Sequence, residues 1–175
     1  MSIIVEDGTV VADANSFVSI ADARTIALSY GLELTGVDDD AKLALVMAGR
    51  WLKQKEKTLQ GCRLSGSQTL PYPRTPVEVY GDLKESSFIP QELIDSQVVA
   101  AVEQSIVGGI LASSQSATAS SVKKEKLEGV GETEYFEGGT ADSTSANIKL
   151  AISLLTPLTK SALASSGGGY DVQRG

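Results

Sequence analysis

The sequence predicts a mainly α-helical fold: a small four-helix domain with a short β-hairpin or exposed strand and extended N- and C-terminal arms. Three observations carry this expectation. Four segments place apolar residues at helical spacing. Glycine, proline or serine clusters punctuate the chain between them. The 175 residues, 42% of them hydrophobic, fit one compact domain with its own core plus tails. The expected organisation is an N-terminal arm over 1–16, a helical domain over 17–160 with a β insertion at about 122–137, and a tail over 161–175.

The arm, MSIIVEDGTVVADANS, combines strand-prone Ile3, Ile4, Val5, Val10 and Val11 with an Asp7-Gly8 turn signal. Its acids stand where a signal peptide carries bases, so export is not expected. Ser19 with Asp22 three residues on is a capping-box variant opening a helix over about 20–30, stopped by Gly31. A second helix over about 39–57 begins at Asp38, Asp39 and Asp40, whose carboxylates suit a helix N-terminus better than they make a metal site. Leu43, Met47 and Trp51 form its stripe, with Ala44, Ala48 and Leu52 beside them. Trp51 reads as a core anchor, and Lys53, Lys55 and Lys57 suit the C-terminal end.

Residues 58–90 break the helical pattern. In Leu70-Pro71-Tyr72-Pro73-Arg74 each proline fixes its own φ and extends the residue before it, so a stiff crossing is expected. A third helix over about 90–112 starts at Pro90 and carries Ile94, Val98, Val102 and Ile106; as the most apolar, it should be the centre of the core. Residues 113–121 are a low-complexity connector. Alternating charged and apolar residues at 122–137 read as the hairpin or strand; Gly129-Val130-Gly131 is too short for a nucleotide loop. A fourth helix over about 144–157 places Ile148, Ala151, Ile152 and Leu155 on one face and ends or kinks at Pro157. After Gly167-Gly168-Gly169, Tyr170 to Gly175 read either as a plain tail or as a short docking peptide.

Composition narrows the function. Histidine is absent and Cys62 is the one cysteine, which removes the commonest general base and metal ligand and leaves no thiol pair. Neither catalytic nor metal-binding residues are expected, and no cofactor. The net charge of −7 is unevenly spread: residues 1–40 sum to −7, 41–75 to +6, 76–112 to −5. The basic block could meet nucleic-acid phosphates or the acidic segment of a neighbouring copy. No apolar run is long enough to span a membrane.

The order VEDGT…ADANSFVSIADA, Ala48-Gly49-Arg50-Trp51-Leu52, LPYPRT, IPQELIDSQVVAAVE and VKKEKLEGVGETEYFE resembles tailed-bacteriophage head-to-tail adaptor proteins, also called connector or head-completion proteins, some of which carry the label DnaT-like single-stranded-DNA-binding. The proline-aromatic-proline-arginine stretch departs from a more usual Trp-Pro-Arg. The resemblance implies a non-enzymatic virion protein, assembled in the host cytoplasm, forming a homo-oligomeric ring, typically of twelve copies. That ring joins the portal protein to a tail or neck protein below and lets double-stranded DNA pass without specific binding. By analogy of position, Gly169, Tyr170, Asp171, Val172, Gln173 and Arg174 would dock on the portal. Contacts between copies would pair Asp38, Asp39 and Asp40 with Lys53, Lys55, Lys57, Arg63 and Arg74. The rival readings are a single-strand binder, using those bases with Trp51 or Tyr72 as stacking groups, and another neck protein such as a stopper or tail terminator.

Overall fold

A computed structural model describes residues 2–111 and 145–160. Its element order is α1 (Ile20–Ser29), α2 (Asp38–Lys55), β1 (Cys62–Arg63), β2 (Arg74–Thr75), β3 (Val77–Val79), β4 (Asp82–Lys84), α3 (Gln91–Ile106) and α4 (Ala146–Leu155). Among the described residues the fold is four α-helices with two small antiparallel hairpins, β1–β2 and β3–β4. The expected α-rich class is what the chain adopts.

Helix ends follow the sequence signals. The Asp22 amide donates to Ser19 Oγ at 3.2 Å, and the Ser19 hydroxyl donates to the Asp22 carboxylate at 2.6 Å. At the other end of α1, Gly31 takes φ +68, its amide bonds Leu28 and the Leu32 amide bonds Ala27, the paired bonds of a Schellman stop. Pro90 caps α3, and Pro157 sits in a 3₁₀ turn, Thr156–Leu158, that closes α4.

α3 is the central helix, packed against α1, α2 and α4, with Val98, Val99, Ala100, Ala101 and Val102 fully buried. Two polar ties lock it. Ser96 donates to the Ala151 carbonyl of α4 at 2.8 Å. Gln97 accepts from the Phe17 amide and donates to the Leu45 carbonyl and to Ser16 Oγ, so one buried side chain joins α3, α2 and the N-terminal segment. That segment folds back on itself: the buried Glu6 carboxylate accepts from the amides of Gly8, Val10 and Val11, and Asn15 bonds Ile4 in both directions.

The stripes need correction at their ends. In α2 the buried face is Ala41, Ala44, Leu45, Ala48 and Leu52 with Trp51, whereas Leu43 is 55% exposed and Met47 half-buried. In α3, Val98 and Val102 are buried, Ile94 is half-buried and Ile106 is exposed. Each residue turns the helix about 100°, so successive steps of four overshoot by about 40°. A line of such steps therefore walks off the core, and only steps alternating three and four stay on it.

The paired strands among the described residues lie at 62–84, where a crossing without strands was expected; outside them single bridges join Val5 to Ser16 and Leu59 to Thr159. The expected strand at 122–137 and the tail at 161–175 fall outside the described residues. β3 and β4 pair Val77 with Lys84 and Val79 with Asp82 through a two-residue turn, Tyr80-Gly81, with φ +55 and +86. Positive φ at both positions is the geometry that matches strand twist in a tight hairpin.

Candidate functional site

Two of the seven bases in the basic block close on its one acid. α2 runs into a 3₁₀ turn, Glu56–Thr58, which presents the Glu56 carboxylate to Arg63 on β1 and Arg74 on β2. Arg63 grips it with two donors and reaches the Gln68 carbonyl at 2.8 Å. Arg74, 7% exposed, bonds Glu56 at 3.0 Å, the Gln60 and Gly61 carbonyls at 2.6 Å each, and Pro71 at 3.3 Å. The Arg63 hydrogen bonds, helped by Arg74, hold the Glu56 carboxyl below its usual range. Two buried glutamines complete the loop. Gln60 ties it to the Pro157 and Thr159 carbonyls after α4 and accepts from the Glu78 amide. Gln68 donates to Leu70 and Pro73. An acid lodged among seven bases was a readable sign of an internal ion pair; a buried glutamine leaves no comparable sign.

These bonds place the expected contact residues. Arg74 is interior and can meet a neighbouring copy only through the loop it holds. Arg63 is mostly buried and committed to Glu56. Lys53 and Lys57 are exposed, and Lys55 sits 5.5 Å over the Trp51 ring. Trp51 is 1% exposed and Tyr72 0%, so neither offers a face to a nucleic-acid base.

Among the described residues Tyr72 Oη is buried without a hydrogen-bond partner, and burial pushes its phenol up to about 12. An unpaired buried hydroxyl costs free energy that its removal recovers. Tyr72→Phe is therefore expected to raise the urea-unfolding free energy by about 1 kcal/mol; a loss of stability would show that the hydroxyl is bonded in solution.

The acidic cluster lies at the opposite end of α2, about 27 Å away for 18 residues. Asp38 pairs with Arg24 at 2.9 Å and Asp39 with Lys42 at 2.8 Å, both at the surface, so these carboxylates do not converge as metal donors. The Lys42 ammonium beside it keeps the Asp39 carboxyl below its usual range.

Each end has a concavity. At the basic end a groove of about 540 Å³ has Ile152 and Leu155 with Lys55 and Lys160 around it. At the acidic end Leu43 and Asp40 face Gln104 and Ser105 across a cleft of about 230 Å³. Exposed Val37, Leu43, Ile106 and Val107 belong to this end. The docking residues Gly169 to Arg174 lie outside the described residues.

A family model described as "Putative DnaT-like ssDNA binding protein" matches residues 1–175. No curated protein and no solved structure matches the chain.

Proposed function

We propose that this chain, which belongs to the DnaT-like ssDNA-binding protein family, is a structural subunit of a tailed-phage neck. It would assemble with its own kind into a ring between portal and tail and continue the DNA channel. The observation that carries this reading is where the protein spends its aromatic and guanidinium groups. Single-strand binding without sequence preference needs exposed aromatic faces beside a basic groove. Here Trp51 and Tyr72 are core residues, and Arg63 and Arg74 brace an internal loop. Among the described residues Tyr80, on the β3–β4 turn, is the aromatic that stands well out in solvent, and Lys53 and Lys57 at one end of α2 and Asp38 to Asp40 at the other are exposed, a pattern suited to contacts between copies. A net charge of −7 also suits a conduit that DNA must traverse without sticking.

The family's description favours a second reading, binding of single-stranded DNA. Lys53, Lys57 and Lys160, exposed near one another at the basic end, are the groups that would serve it.

Cryo-electron microscopy of the parent particle separates the two. The expected result is a ring of this chain between portal and tail. Deleting residues 167–175 should leave the domain folded and abolish joining of capsids to tails. Absence of the chain from the particle, with tight salt-dependent binding of oligothymidine by fluorescence anisotropy, would establish the second reading instead.

A further inference from the structure

Resting on the ring reading, we infer that the acidic end of one copy docks into the Lys55–Lys160 groove of the next. Two observations meet here. The groove has apolar side chains from α4, Ile152 at 43% exposed and Leu155 beside it, between the lysines at 55 and 160. The far end of α2 and α3 carries the complement: Val37, Leu43, Ile106 and Val107, each more than half exposed, next to Asp38, Asp39 and Asp40. Large apolar side chains standing in water beside a charge cluster mark an interaction surface. The occupant is a second copy because the complementary charge and apolar surface sit on this same chain. Lys55 and Lys160 face Asp40, the aspartate of the three that forms no salt bridge among the described residues, together with the outer edges of the Arg24–Asp38 and Lys42–Asp39 pairs, and Leu43 with Ile106 faces Ile152.

The two surfaces are different and lie at opposite ends of α2, so the contact is head-to-tail. Such a contact leaves one free surface at each end of any open assembly, and it closes into a ring when the rotation allows. A two-fold contact would bury the same patch on both partners and stop at a dimer.

That distinction gives the test. Leu43→Asp spoils only the acidic end, and Ile152→Asp only the groove. Leu43 is 55% and Ile152 43% exposed, so far-ultraviolet circular dichroism should match wild type; if Ile152→Asp misfolds, Lys160→Glu replaces it. Sedimentation velocity on the full-length chain at up to about 1 mM should show wild type assembling and each variant weakened by roughly tenfold or more. Mixing the two variants should restore one contact and yield a discrete one-to-one dimer, formed by the intact acidic end of Ile152→Asp in the intact groove of Leu43→Asp. Failure of the mixture to dimerise overturns the proposal. So does assembly of Leu43→Asp as wild type, which would give the groove another occupant, or a wild type that stays monomeric. If rings still form with both surfaces spoiled, the contact is wrong and the ring reading stands; a particle whose neck lacks the chain removes the ring reading itself.

Discussion

Replacing Arg74 by alanine is expected to lower the unfolding free energy by about 3–5 kcal/mol. The guanidinium is 7% exposed and serves four acceptors: Glu56 and the carbonyls of Gln60, Gly61 and Pro71. Truncation strands the buried Gln60 and Pro71 carbonyls and leaves Glu56 to Arg63 alone, and an unmet buried polar group costs more than a made bond contributes. Arg74→Lys should recover little, because one ammonium cannot reproduce a fork that spans acceptors on both sides of the loop. The same cluster sets an acid limb. Glu56 titrates below its usual value in the folded chain, so the unfolded chain binds its proton first as pH falls. Its contribution is complete above the unfolded value of 4.5 and is lost as pH drops through the lowered folded value. Urea melts at about pH 6 and about pH 3 should therefore converge more closely for Glu56→Gln than for wild type. A wild-type-like stability of Arg74→Ala would show that the loop at 56–78 does not depend on this cluster.

The four helices were legible because their signals are local. Ser19 with Asp22, Gly31, the aspartates at 38–40, Pro90 and Pro157 each act within one turn of the backbone they begin or end. The faces were legible only in part. A step of four identifies a helix but rotates away from its buried side, which is how Leu43 and Ile106 were assigned inward and stand outward. The β1–β2 and β3–β4 hairpins were missed for a different reason. Strands of two and three residues are too short for alternation to register, and β1–β2 is held by Arg74 donating to the Gln60 and Gly61 carbonyls. For β3–β4 a sign was present: Val77 and Val79 alternate before Tyr80-Gly81, though tyrosine is an unusual residue for the first turn position. The charge asymmetry was legible as a sum. Its division into internal and external groups was not: the lone acid at Glu56 signalled an ion pair, but only the fold reveals that its partners are Arg63 and Arg74 rather than the neighbouring lysines.

Trp51 tests the core and the function together. Trp51→Ala should cost about 3–5 kcal/mol, the range for removing a large buried aromatic and leaving a cavity. The ring is 1% exposed, lies on the buried face of α2, and carries Lys55 over it at 5.5 Å. It is the chain's one tryptophan, so its emission reports this site alone. The wild-type spectrum is expected to be blue-shifted and to stay unchanged when oligothymidine is added at low salt, because a ring enclosed by side chains cannot stack on a base. Quenching that follows the oligonucleotide concentration would mean that the ring is reached, and would turn the interpretation from assembly toward single-strand binding. The stability loss alone does not decide between them, since an exposed stacking tryptophan can also support its helix. The two results together do. A ring whose removal unfolds the bundle and whose emission ignores DNA is committed to the core. Any binding of single strands would then need another surface, such as the lysines at the basic end, which attract phosphates without holding bases, or exposed Tyr80.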